Sequence, residues 1–167
     1  MSSPVRTAYA AAGVDVAAGD RAVALLRERL GGAAASDLLG LGGFGAAVEL
    51  PGGYQRPVLV TATDGVGTKT EIARRLGRWD TLGQDLVAMC ADDVVCHGAR
   101  PLLFLDYVAV GQVVPERIAA LVAGIGAACE RVGARLVGGE TAEHPGLMAP
   151  DQLDLAGFCV GIVEREA

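Results

Sequence analysis

Thirteen of the 14 basic residues in this chain are arginine. The exception, Lys69, sits inside Thr63-Asp64-Gly65-Val66-Gly67-Thr68-Lys69-Thr70. Lysine offers a compact point charge on a flexible stem, suited to a phosphate, where arginine offers a planar fork. Gly65 and Gly67 let backbone N–H groups close on an anion. Asp64, Gly65, Gly67, Thr68 and Lys69 therefore read as a phosphate and metal site, against the plainer reading of a solvated loop lysine. Lys69 is not a Walker lysine, because Thr68 separates it from Gly67.

Three further groups of acids stand in apolar or glycine-rich settings. Asp85, Asp92 and Asp93 lie in a predicted helix. At 100° per residue Asp93 falls along the stripe of Leu82, Leu86 and Met89, and Asp85 and Asp92 share a neighbouring face. A buried carboxylate needs a metal, a cation or N–H groups to offset its desolvation. Asp92 and Asp93 are thus metal or nucleotide candidates, or else structural acids paired with an arginine. Asp106 alternates with Leu102, Phe104 and Val108 on a predicted strand, as a ligand-facing acid or one satisfied in the core. In Val137-Gly138-Gly139-Glu140-Thr141-Ala142-Glu143, a predicted strand ends in two glycines that permit close approach to a ligand, followed by Glu140. Asp64 and Glu140, each at a strand end, suggest one shared acidic pocket, and hard carboxylate oxygens suit magnesium, Mg2+. His144, in the turn that follows, is a weaker candidate.

Other signals carry less. Gly40-Leu41-Gly42-Gly43-Phe44-Gly45 matches G-x-G-x-x-G, but lacks the strand before and the helix after that a dinucleotide fold requires. No G-x-S-x-G marks a nucleophilic serine.

These residues need elements to hold them. The periodicity predicts helices over about Asp15–Leu30, Lys69–Leu76, Asp80–His97 (with Asp80 as N-cap) and Pro115–Val132, the last closed by Gly133. Strands are predicted over Ala46–Leu50, Val58–Thr63, Leu102–Val110, Arg135–Gly138 and Leu153–Val163. Residues 1–14 read as irregular and 31–45 as a mobile loop. The order indicates an α+β fold, a mostly antiparallel sheet covered by helices.

A chain of 167 residues that is 51% hydrophobic suits one domain with a real core. A net charge of -6 argues against a nucleic-acid or anionic-membrane partner. Cys90, Cys96, Cys129 and Cys159 fit no metal spacing and read as reduced, mostly buried thiols of a cytoplasmic protein. No apolar run is long enough to span a membrane and the N-terminus has no signal-like stretch.

Taken in order, Ala12-Gly13-Val14-Asp15, Gly40–Gly45, Asp64–Lys69, Asp80–Cys90, Phe104-Leu105-Asp106-Tyr107, Gly138–Glu143 and Ala156-Gly157-Phe158-Cys159-Val160-Gly161 closely resemble the phosphoribosylformylglycinamidine cyclo-ligases, the AIR synthetases of purine biosynthesis. The likeness runs from about Tyr9 to Glu164. It implies ATP and Mg2+ as cofactors and formylglycinamidine ribonucleotide as substrate. It also implies a homodimer whose strands pair across the interface into a barrel. Asp64, Asp92 or Asp93, and Glu140 are then metal or phosphate-side ligands. Lys69 becomes a phosphate contact, and Gly42, Gly43, Phe44 and Gly45, with Gly138 and Gly139, part of the nucleotide or substrate cover. Asp92 and His144 stand where asparagine and methionine are frequent in the family. The family's enzymes run to about twice this length, so residues 1–167 are expected to be the N-terminal domain with the C-terminal domain absent. Two alternatives stay open: a non-catalytic ATP-binding or dimerisation module, and a related ATP-using enzyme. The latter would be like selenophosphate synthetase, thiamine-monophosphate kinase or a hydrogenase-maturation protein. The absence of a cysteine before Cys90 weighs against the selenophosphate option.

Overall fold

The computed structural model describes residues 8–30 and 45–166. In chain order these form α1 (Ala8–Ala11), α2 (Val16–Leu30), β1 (Pro57–Gly65), α3 (Lys69–Leu76), α4 (Leu82–Val95), β2 (Arg100–Val110), α5 (Pro115–Val132), β3 (Arg135–Glu143) and β4 (Leu153–Glu164). The four strands make one sheet in the order β1-β4-β2-β3. The β1–β4 and β2–β4 pairs are antiparallel and β2–β3 is parallel, so the expected α+β, mostly antiparallel sheet is observed. The parallel pair follows from α5, a crossover long enough to return the chain to the same end of the sheet.

The helices pack on one face. β1 alternates along its length, with Val58, Val60 and Ala62 half-buried and Leu59, Thr61 and Thr63 exposed. On that covered face α4 buries Leu86, Val87, Cys90 and Val94, and α5 buries Ile118, Leu121, Ile125 and Cys129, against Phe104, Val108, Leu155 and Cys159. With few aromatics, a core of Ala, Val, Leu and Cys needs close backbone approach. Gly83 and Gly124 supply it where α4 meets α5. A Cβ on Gly83 would stand 2.2 Å from the Ile125 nitrogen, and one on Gly124 would stand 2.2 Å from the Asp80 oxygen. On the opposite sheet face, among the described residues, Leu59 is 51% and Phe158 44% exposed, while Ile162 beside Leu59 is buried.

Several expectations need correction. Residues 46–50 form no strand. Alternation alone supplies no ladder partner, and the Glu164 carboxylate takes the N–H groups of Gln55 and Arg56 at 2.8 Å each, leading the chain into β1 from the β4 side. β3 does not stop at Gly138 but continues to Glu143, because β2 pairs with it through both glycines. Helix α4 begins at Leu82 behind Thr81, with no side-chain cap. Asp80 faces Arg78 at 3.6 Å instead of capping the helix. A single helical turn, α1, occupies part of the stretch read as irregular. Three of the four cysteines are buried, as expected, and Cys96 is exposed.

Candidate functional site

At the end of β1, the half-buried Asp64 turns its Oδ1 onto the Gly65 N–H at 2.7 Å. Val66 is buried and donates its N–H to the Leu155 carbonyl at 3.1 Å, pinning the loop to β4. Gly67, at φ 65°, makes the left-handed turn that admits the chain to α3. Thr70 Oγ1 donates to the Gly67 carbonyl at 2.8 Å and closes that turn. Lys69 is the first residue of α3. Its Nζ reaches Asp85 Oδ1 at 3.0 Å, with the side chains 45% and 41% exposed. The Met89 sulfur lies 3.9 Å from the same nitrogen.

Asp85 is in the first turn of α4. Asp92 and Asp93 are exposed near its end. Asp93 therefore does not lie along the buried stripe, which is Leu82, Leu86, Val87, Cys90, Ala91 and Val94. The helix is wedged between the sheet and α5, and the 92–93 positions emerge at its rim. Asp93 still shares a neighbourhood with Asp64. Burial pushes the Cys90 thiol up to about 11, and the charges of Asp64 and Asp93 add to that rise. Asp64 and Asp93 thus lie about Cys90, and the Lys69–Asp85 pair lies along the same helix, Asp85 about 12 Å from Asp93 along the axis.

Glu140 is elsewhere. It is exposed on β3, opposite Tyr107 of β2, in the row Gly65–Ala156–Tyr107–Glu140. Asp64 belongs to the adjacent row, Asp64–Gly157–Asp106–Gly139. Adjacent rows project to opposite faces, and β1 and β3 lie three strand spacings apart, about 14 Å. A single chain therefore does not join Asp64 and Glu140 in one pocket. Among the described residues, no group of three or more His, Cys, Asp or Glu is placed to hold a metal ion. Mg2+ needs only one or two protein carboxylates when phosphates and waters complete its shell. Asp64 and Asp93, both about Cys90, fit that role as a pair, whereas a cage that also includes Glu140 does not fit one chain.

The remaining acids are committed to the fold. Glu143 accepts the Val113 N–H at 2.7 Å and the Asp15 N–H at 3.0 Å, tying the end of β3 to the loop before α5 and to the start of α2. Asp106 is on the covered face, buried, and its Oδ2 has no hydrogen-bond partner among the described residues. Burial pushes its carboxyl up to about 7. Gly139 makes room for it, since a Cβ there would lie 1.6 Å from Asp106 Oδ1. On the opposite face, Tyr107 Oη and His144 Nε2 stand 3.3 Å apart. Gly138 is half-buried and Gly45 exposed, while Gly42, Gly43 and Phe44 lie outside the described residues.

Residues 42–163 match the family of AIR synthase related proteins, N-terminal domain. The chain belongs to this family. It is 52% identical over 161 residues to the phosphoribosylformylglycinamidine cyclo-ligase of Geobacillus kaustophilus, an alignment that covers 95% of this chain and 46% of the relative. The chain thus spans about half the length of the curated relatives it matches. Among solved structures it is similar to thiamine-monophosphate kinase from Stenotrophomonas maltophilia, at TM-score 0.67 and 23% identity over 84% of this chain and 42% of that one. It is also similar to the hydrogenase maturation protein HypE in complex with ATP, at TM-score 0.63 and 19% identity over 89% of this chain and 41% of that one. At such identities these two likenesses show the fold alone. Sequence reasoning missed Asp85 as the partner of Lys69. The two residues are 16 apart in sequence, and no local signal links the start of one helix to that of the next.

Proposed function

We propose that this chain is the nucleotide-binding half of a phosphoribosylformylglycinamidine cyclo-ligase. The observation that carries the reading is 52% identity to a protein of that name across 95% of the chain. In the reaction, the γ-phosphoryl group of ATP passes to the formyl amide oxygen of formylglycinamidine ribonucleotide. An amidine nitrogen then attacks the activated carbon, and phosphate leaves as the imidazole ring closes. Such chemistry asks a protein for positioning and charge neutralisation more than for a nucleophile. In this reading Lys69 exchanges Asp85 for a phosphate oxygen, and the N–H groups of Gly67, Thr68 and Lys69, rather than those of Gly65, Val66 and Thr70 that protein acceptors already hold, face the same anion. Asp64 and Asp92 or Asp93 would hold Mg2+, which supplies charge neutralisation when bound. The solved relative with ATP supports nucleotide use by this fold.

The exposed apolar residues of the sheet face away from the helices support a second part of the proposal. Leu59 and Phe158 stand exposed on an ordered sheet, and a second copy of the chain, closing the two sheets into a barrel, would cover them. Glu140, Tyr107 and Gly138 belong to that face and would meet the nucleotide or substrate only in the assembled dimer. A cytoplasmic setting accords with the free thiols. Calorimetric titration of Mg2+–ATP into the chain tests the nucleotide site, with binding expected and its loss in Lys69→Ala. Unchanged affinity in that variant removes Lys69 from the site. A dimer mass by light scattering is expected, and a monomer mass rules out the barrel.

A further inference from the structure

A cavity of about 520 Å³ opens at the end of the sheet remote from Lys69. Arg100 and Arg135, the first residues of β2 and β3, line it together with Glu49, Leu50, Pro51 and Leu102. Arg100 pairs in register with Ile162, and Ile162 with Leu59. Gly65, beside Lys69, is six residues further along β1, so the two regions are separated by roughly 20 Å. In a chain of net charge -6, a cavity with two guanidinium groups and one carboxylate runs against the overall field.

We infer that this cavity is a second ligand site, for a phosphate monoester carrying a small organic body. Arg100 and Arg135, at the starts of neighbouring parallel strands, both line the cavity, and guanidinium groups suit a multi-oxygen anion. The arginines differ in how they are held. Arg100 is exposed and in no ion pair among the described residues, whereas Arg135 is half-buried and already engaged within the protein. The first is free to turn onto a ligand and the second is a fixed point. Leu50, Pro51 and Leu102 give the apolar wall that a bare inorganic ion would not need. The volume lies in the range of small-molecule sites. Glu49 opposes an anion in this cavity, and a donor on the ligand's organic body would offset that opposition.

The test uses the full 167-residue chain with phenyl phosphate and inorganic phosphate as probes, titrated by calorimetry at low salt. Phenyl phosphate is expected to bind more tightly than inorganic phosphate. Arg100→Ala is expected to weaken phenyl phosphate by about tenfold. Glu49→Gln, which removes the opposing charge, is expected to tighten it by about two- to fivefold, a gain that misfolding does not mimic. Lys69→Ala is expected to leave it within about twofold, since a charge 20 Å away in solvent is screened. Arg100→Ala binding like the parent, or Lys69→Ala abolishing the interaction, overturns the site. Equal affinity for the two probes overturns the organic-body part.

Discussion

At the β1 edge of the sheet, Lys69 and Asp85 meet at 3.0 Å with both side chains nearly half exposed. At the β3 edge, Glu143 commits both carboxylate oxygens to backbone N–H groups, those of Val113 and Asp15. The first arrangement is a solvated ion pair, worth about 0–1 kcal/mol and easily exchanged for a ligand. The second joins three distant segments and costs the fold when it is lost. Acids in similar sequence settings thus divide into those left available for chemistry and those used up in holding the chain. Asp106 lies between the edges and belongs to neither group, being buried and incompletely bonded.

The largest effect is expected at Asp106, and it tests whether the middle of the sheet stores an electrostatic cost. Its carboxyl is raised from 3.8 to about 7, first by burial. A group whose folded value is raised contributes stability that is complete below its unfolded value and is lost as pH rises through the folded value. The parent chain should therefore lose stability between about pH 4 and pH 7, on the order of 3–4 kcal/mol from this group. Asp106→Asn should flatten that slope and be the more stable protein at pH 8. Parallel pH profiles of the urea midpoint for the two proteins would show that Asp106 carries no such cost.

The next effect is at Glu143. Glu143→Gln should lower stability by about 1–3 kcal/mol, because charge-assisted bonds to two N–H groups become weaker and one is lost. Mg2+–ATP affinity should stay within about twofold, since the residue acts through the backbone it holds. A variant with parental stability and impaired nucleotide binding would reverse the assignment of this edge.

This division was only partly legible in the sequence. Regular elements were readable wherever the pattern is also the packing rule. Pro115 and Gly133 bound α5, and its apolar period is the stripe that is buried. Long-range pairing was not readable. Gly138-Gly139 resembles a strand end, yet β2 carries the ladder through it. The alternation over 46–50 resembles a strand, yet no ladder forms there. Asp64 and Glu140 look equivalent because each adjoins a glycine. Only the strand order β1-β4-β2-β3 places them at opposite edges, and only the register places them on opposite faces. Asp106 was placed correctly among the strand's apolar positions, but alternation could not say whether a partner waited for it.

Lys69→Ala probes the available group. Its stability should change by less than about 0.5 kcal/mol, the usual consequence of deleting one side of an exposed ion pair. Its affinity for Mg2+–ATP should fall by about tenfold or more. This pairing of outcomes is the reverse of that expected for Glu143→Gln, and the two variants together test the comparison more sharply than either alone. Equal losses of stability in both would mean that the edges do not differ.

The smallest effect is expected at Asp85. In the unliganded protein Asp85 holds Lys69, so a phosphate must displace a carboxylate before it gains the lysine. Asp85→Asn removes that competitor without removing the side chain's volume. Stability should stay within about 0.5 kcal/mol. Mg2+–ATP affinity measured by calorimetry should rise by about two- to threefold at low salt, with the difference shrinking as salt screens the pair. The sign is the informative part. A gain means that Asp85 is only the resting partner of Lys69. A loss means that Asp85 acts with Asp64 and Asp93 on the nucleotide's metal, and the ion pair seen here would then be a preassembled fragment of the site in which both members keep working once the ligand arrives.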